Sequence, residues 1–165
     1  MMKRRKKKKT DIIEFAREKF ARFNKDKCEE RDCKLSIGIT KKRNYIILKG
    51  DEIYKDRKMC DCIILIRKGK CFLVIAELKN RDIDAGDIVE KHRNSLKFAR
   101  ELVKQSVNRL EEIEYYPVLL HKGVKTVEIR RFRQKRNKIR FCKDHRFIII
   151  KKCGSTLSDV IDDII

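Results

Sequence analysis

Tryptophan is absent, and glutamine occurs only at Gln105 and Gln134. No apolar run reaches the roughly 18 residues that a membrane-spanning helix needs, so no span is expected. The basic N-terminus is not followed by an apolar segment with a small-residue cleavage site, so the chain reads as lacking a secretory leader and as cytoplasmic, in a host cell if viral. Neither a P-loop nor the glycine pattern of dinucleotide-binding folds occurs. The 3 histidines fall on separate predicted elements, which leaves no Ser/His/Asp arrangement to infer. No C-x2-C pair of the usual structural-zinc kind is present, and there is no internal repeat.

Acidic charge is in deficit. Lys and Arg number 45 against 25 Asp and Glu, a formal net charge of +20. That balance favours a polyanionic partner, a nucleic acid before an acidic membrane surface. At 165 residues and 41% hydrophobic, the chain is long and apolar enough for one folded domain with a real core. Abundant Lys, Glu and Ile with few thermolabile residues point to a hyperthermophile, read here as an archaeon or one of its viruses.

Seven cysteines are many for such a chain. Cys28 and Cys33 are spaced C-x4-C and Cys60 and Cys62 C-x-C; Cys71, Cys142 and Cys153 are scattered. Three readings stay open: buried free thiols, a disulfide such as Cys28–Cys33, or a metal or iron–sulfur site from Cys28, Cys33, Cys60 and Cys62.

Along the chain, Lys3 to Lys9 form an unbroken basic block, so residues 1–9 read as a disordered tail with Lys6 and Lys7 available to phosphates. Thr10 or Asp11 can cap a helix running to about Phe23, with Ile12, Ile13, Ala16 and Phe20 on its apolar face. Residues 24–34 read as a loop. Leu35 to Thr40 and Asn44 to Lys49 read as strands, and Gly50-Asp51 as a turn. After the central hairpin, Asp84 can cap a long helix whose stripe includes Ile88, Val89, His92, Leu96, Ala99, Val103, Val107 and Leu110. His92 on that stripe reads as a core residue. Tyr115 to His121 is the next strand, with Pro117 suited to an early or edge position. Val124 to Asn137 is a helix or an extended arm; its Arg130, Arg131, Arg133, Lys135 and Arg136 suit phosphate contacts. Arg146 to Lys151 is a strand. A C-terminal helix from Ser155 or Thr156 carries Leu157, Val160, Ile161, Ile164 and Ile165, an apolar face that needs the core or a second subunit.

The chain is organised around Cys60 to Asn80. Two apolar runs, Cys62 to Ile66 and Cys71 to Ala76, flank Arg67-Lys68-Gly69-Lys70, which reads as a β-hairpin. Asp61 opens the first strand; Glu77 and Lys79 close the second. Antiparallel pairing brings Asp61 towards Glu77 and Lys79 at one sheet end, and alternation puts Glu77 and Lys79 on one face with Leu78 on the other. Two carboxylates there can hold Mg²⁺, a hard cation that takes oxygen ligands. Such an ion lowers the pKa of a bound water and offsets charge on a phosphate. Acid-x-Lys triplets are common in so charged a chain, and Asp32-Cys33-Lys34 and Asp56-Arg57-Lys58 are two more. Neither closes an apolar run of strand length; Glu77-Leu78-Lys79 does. Asp51 is the backup first acid.

With Asp61 and, sixteen residues on, Glu77-Leu78-Lys79, the chain resembles the PD-(D/E)XK nuclease superfamily, which includes restriction endonucleases and archaeal Holliday junction resolvases. The usual proline before the first acid is replaced by Cys60. The resemblance implies an α/β fold of the restriction-endonuclease kind: a mixed sheet of about five strands flanked by helices. It also implies Asp61 and Glu77 as ligands to Mg²⁺ (Mn²⁺ as substitute), Lys79 as the catalytic lysine, and an acid from the first helix, for which Glu14 is the candidate. The Gln-x3-Tyr pair of the superfamily's recombination exonucleases is not matched, since Lys91 and Ser95 stand there. The expected function is a metal-dependent nuclease, an endonuclease acting on DNA sooner than RNA, with a homodimer as the expected assembly. The alternative is a nucleic-acid-binding regulator or complex subunit without catalysis.

Overall fold

The computed structural model describes residues 9–161; Lys6 and Lys7, and Ile164 and Ile165, lie outside the described residues. A helix α1 (Ile12–Lys19) leads into β1 (Asn24–Lys25), the hairpin β2 (Cys28–Glu30) and β3 (Cys33–Leu35), then β4 (Tyr45–Lys49) and the single turn α2 (Gly50–Ile53). The central hairpin is β5 (Cys62–Lys68) and β6 (Lys70–Lys79). The long helix α3 (Ala85–Gln105) crosses to β7 (Ile113–His121), followed by α4 (Thr126–Phe132), the small hairpin β8 (Ile139–Phe141) and β9 (Asp144–Arg146), β10 (Ile149–Lys152) and α5 (Leu157–Val160).

The protein is α/β. Its main sheet has 6 strands in the order β1-β4-β5-β6-β7-β10, where about five are expected from the sequence; the addition is the two-residue edge strand β1. The pairs from β1 to β6 are antiparallel, while β7 lies parallel to both β6 and β10. Such parallel pairs need a crossover, which α3 supplies between β6 and β7.

The strands β5 and β6 read as nearly continuous apolar runs because both faces are covered. On one face Cys71, Leu73 and Ile75 join Ile12, Ile13 and Ala16 of α1 and Ile88, Leu96 and Ala99 of α3. On the other, Phe72, Val74, Ala76 and Leu78 pack with Cys28, Cys33 and Leu35 of the small hairpin and with Leu157, Val160 and Ile161. The apolar face of the C-terminal segment is therefore covered by the protein's own core as far as Ile161. His92 is fully buried with Nε2 3.1 Å from the Val118 carbonyl, a core residue as its place on the stripe suggests.

Several boundaries differ from the sequence reading. The first helix stops at Lys19, with a 3-10 turn at Ala21–Phe23 in place of its last turn. The long helix is capped by Asp84, whose side chain accepts from Asp87 N, but ends at Gln105, leaving Val107 exposed. Residues 24–34 hold β1 and the β2–β3 hairpin instead of a loop. Conversely, Leu35 to Thr40 is not a strand: β3 ends at Leu35, Ser36 makes a lone bridge to Thr156, and Gly38 turns the chain at φ +69°. Pro117 lies mid-strand in β7, an interior strand. Pairing with β10 begins only at Val118, so the residue without an N–H meets a strand on one side alone.

The cysteines pair otherwise than expected. Cys28 bonds to Cys62 and Cys33 to Cys153, while Cys60, Cys71 and Cys142 are free. The hairpin register puts Cys28 opposite Leu35 and Cys33 opposite Glu30. The two cysteines do not face each other across the hairpin, so Cys28 finds its partner at the start of β5 and Cys33 just past the end of β10. This overturns the Cys28–Cys33 bridge and the four-cysteine metal site. The free-thiol reading holds for Cys60 and Cys71, both buried.

Candidate active site

Residues of β5 and β6 register with Cys62 opposite Ala76, which sets Asp61 beside Glu77 at the open end of the hairpin. Asp61 is fixed from two directions. Its carbonyl accepts from Gly50 N at 2.9 Å, and its Oδ2 accepts from Leu78 N at 2.8 Å. The first contact needs glycine: a Cβ on Gly50 would sit 2.2 Å from the Cys60 carbonyl oxygen. Cys60 N in turn donates to Ser95 Oγ of α3 at 2.8 Å.

Asp61 and Glu77 are buried, at 7% and 2% exposure, yet both line a cavity of about 290 Å³ that opens at the sheet end. Lys79 and Lys91 line it too, with Glu30 and Arg31 from the small hairpin. Leu78 itself packs on the opposite face, as alternation requires. Among the described residues, two of the three non-glycine residues with left-handed φ, Arg31 at 52° and Asp82 at 58°, also line this cavity. Backbone held in that region costs energy and collects at functional sites.

The electrostatics are unusual for a sheet end. Burial, then the hydrogen bond to Asp61 and the charge of Asp61, push the Glu77 carboxyl well above the ordinary carboxylate range. Lys91 draws it part of the way back, its Nζ 3.1 Å from Glu77 Oε2 and 3.8 Å from Asp87 Oδ2. Burial acts to lower the Lys91 ammonium, but Glu77 and Asp87 outweigh it and its pKa rises. Glu77 Oε2 is buried and accepts no well-formed hydrogen bond. A buried carboxylate in that state fits a hard cation as partner.

A second acidic grouping touches the first. Ligand atoms of Glu30, Asp51 and Asp61 lie within 4.8 Å of one another. The Lys49 ammonium bonds Glu30 and stands 3.7 Å from Asp51, so part of this charge is balanced internally.

Of the residues singled out in the sequence, the structure brings Asp61, Glu77 and Lys79 to one cavity and places Asp51 close to Asp61. The expectation for Glu14 is not met. That residue is exposed on the first turn of α1, three residues from Asp11, which pairs with Arg67 towards the turn end of β5. Six residues of strand, about 20 Å, separate that end from Asp61, so Glu14 is no part of the cluster. The acid that does arrive is Glu30, from a hairpin read as loop. Lys91 is the other residue missed; its place four residues after Asp87, in the first turn of the helix that Asp84 caps, is a sequence signal for it.

Arg130, Arg131, Arg133, Lys135 and Arg136 are exposed on α4 and the turn after it, and none lines the cavity. Arg131 Nη1 is 3.0 Å from Glu128 Oε1, while Glu128 Oε2 accepts from Ala85 N at 2.8 Å, tying α4 to the start of α3. Among the described residues no helix is long and apolar enough to cross a membrane. The chain matches no family model, no curated protein and no solved structure.

Proposed function

We propose that this protein is a Mg²⁺-dependent nuclease of the restriction-endonuclease-like kind, acting on DNA. The observation that carries the reading is the pair Asp61 and Glu77: two buried carboxylates side by side, with the Lys91 ammonium against Glu77, facing a cavity that Lys79 also lines. A core gains nothing from such a pair, since buried charge is costly unless compensated.

Asp61 and Glu77 would hold the cation, with Glu30 and Asp51 close enough to Asp61 to add ligands. When bound, the cation would supply Lewis-acid stabilisation of a phosphate and a more acidic water. Asp61 is pre-set by Leu78 N and Gly50 N, so its carboxylate does not have to reorganise. Lys79 offers an ammonium to the attacking water or to the phosphate oxygens, on the same face as Glu77. Lys91 keeps Glu77 charged when no other cation does. The disulfides hold Glu30 and Arg31 over the opening. Bridges of this sort inside a non-secreted chain would suit the hyperthermophile setting inferred from composition.

One observation favours a non-catalytic nucleic-acid-binding protein on the same fold: Lys49 and Lys91 already neutralise part of the acidic cluster. Cleavage assays separate the two readings. Linear duplex, single strand, four-way junction and RNA are incubated with Mg²⁺ or Mn²⁺ and wild type or Glu77→Ala. Metal-dependent cutting that disappears in the variant, with binding retained, supports the nuclease. Tight binding with no cutting of any substrate by the wild type refutes it.

A further inference from the structure

A second cavity, of about 460 Å³, lies on the other flank of α3. One wall is Arg93, Lys97 and Arg100, spaced i, i+4, i+7 and so on one side of the helix. The facing wall is the segment after α4, with Lys135, Lys138 and Arg140. No carboxylate lines this cleft, and none of these six cations is in an ion pair among the described residues. By contrast, the first cavity is lined by Glu30, Asp61, Glu77 and Asp82 among its cations.

The cleft is built, not merely charged. Arg93 Nη2 donates to the Arg136 carbonyl at 2.6 Å, and the Arg100 guanidinium donates to the Arg140 carbonyl. Two guanidiniums thus fasten the second wall to the helix through the backbone, leaving the positive charge of that wall unopposed. Lys138 Nζ lies 4.7 Å from the ring of Phe147, an exposed aromatic at the margin. Like charges at these spacings repel, and the ammonium groups of Lys97, Lys135 and Lys138 make no hydrogen bond or ion pair to the chain among the described residues that would offset this.

We propose that this cleft is a second binding site, separate from the Asp61–Glu77 cavity, for a run of phosphodiesters in a nucleic-acid backbone. Lys91, which serves the first cavity, and Arg93, which lines the cleft, project from opposite flanks of α3, a helix about 10–12 Å across. Nucleic acid held in the cleft would lie against the outer side of the helix that borders the first cavity. The site stands whether or not the protein cleaves.

The test is binding of a 20-base-pair DNA duplex to the full chain in EDTA, across a series of salt concentrations. No divalent cation is present, so failure of the nuclease reading leaves the result intact. The cleft variant is Lys97→Gln/Lys135→Gln/Lys138→Gln, which leaves both fastening arginines in place. Its control is Lys27→Gln/Lys41→Gln/Lys55→Gln, three exposed lysines outside the cleft. Each lost phosphate contact lowers the slope of log affinity against log salt by about 0.9. The cleft variant is expected to lose about two to three from that slope and at least about tenfold in affinity at low salt, with the control nearly unchanged. Equal losses in both variants would mean that net charge alone binds DNA, and would overturn the site. Binding of inorganic tripolyphosphate that depends on the three cleft lysines, without any such dependence for duplex, would overturn the assignment to nucleic acid.

Discussion

At the turn end of the β5–β6 hairpin, Arg67 pairs with Asp11 and Lys70 with Glu114, all partly exposed. At its open end, Asp61 and Glu77 are buried next to each other, with Lys91 Nζ 3.1 Å from Glu77 Oε2. The same two strands carry both. The turn end follows the ordinary rule that charge is paired and solvated; the open end departs from it by burying two carboxylates side by side. Surface pairs contribute little to stability, whereas two adjacent buried carboxylates oppose it. On the proposed reading the second arrangement is kept for a cation, and the difference between the ends can be probed by removing charge from each.

Glu77→Gln should have the largest effect, in opposite directions on activity and stability. Losing a ligand that contributes several kcal/mol of charge stabilisation corresponds to a cleavage rate lower by at least about 10³-fold. Stability without metal should rise. Since the folded Glu77 carboxyl binds its proton more tightly than the unfolded one, the folded state carries more protons as pH climbs above the unfolded value of about 4.5. Wild-type stability therefore falls as pH rises from there towards the raised folded pKa. The glutamine variant should lack this part of the slope and melt higher at pH 8, at about 2–4 °C per kcal/mol. Added Mg²⁺ should raise the wild-type midpoint, more so at higher pH, and not that of the variant. Thermal melts at pH 5 and 8 with EDTA or Mg²⁺ test all of this. A variant no more stable than wild type at pH 8 would place the open end with the turn end, as ordinary paired charge.

The disulfides come next, because they hold the small hairpin against the open end. Cys33–Cys153 closes a separation of 120 residues and Cys28–Cys62 one of 34. Cys33→Ser/Cys153→Ser should cost about 2–4 kcal/mol, read from urea unfolding at constant pH. Cleavage should weaken as well, since β2 and β3 bring Glu30 to the cavity. Full activity in the variant would show that Glu30 contributes nothing there.

The Asp61–Glu77–Lys79 grouping was legible because it follows from period-two alternation and one hairpin, both local. The sheet was legible for the same reason: Cys62–Lys68 and Lys70–Lys79 are apolar runs around a glycine. Glu30 was not, because its strand is three residues long and its position is set by two disulfides whose partners lie 34 and 120 residues away. Glu14 misled for the converse reason. Its helix starts where the sequence predicts, but the direction in which α1 lies on the sheet depends on Asp11 meeting Arg67 and Ile12 N meeting Asn108, contacts that no local pattern encodes. Lys91 was noticed only as a mismatch to a glutamine motif, and its role emerges once α3 is laid beside β6.

Gly50→Ala sharpens the comparison from the backbone side. The added Cβ would overlap the Cys60 carbonyl at 2.2 Å, so either α2 or the lead into β5 must shift. The expected cost is about 1–3 kcal/mol, with loss of the Gly50 N contact that sets Asp61. Cleavage at saturating Mg²⁺ should fall more than stability alone explains, which rates measured well below the melting midpoint will show. A variant that is destabilised but cleaves at the wild-type rate would mean that Asp61 is held by Leu78 N alone.

Asp11→Asn, at the turn end, should do least. Asparagine still caps α1, whose Glu14 N is bonded to Asp11 Oδ1 at 2.9 Å, so the change removes only the charge that faces Arg67. The pair is partly exposed, at 41% for Arg67 and 24% for Asp11, which limits its worth to about 1 kcal/mol or less. The loss should shrink further in high salt, which screens exposed charges. Cleavage should stay at the wild-type rate, because this end lies a full strand away from Asp61. If Asp11→Asn instead lowered metal-dependent cleavage tenfold at unchanged stability, the two ends of the hairpin would be coupled, and the contrast between a structural end and a chemical end would no longer hold.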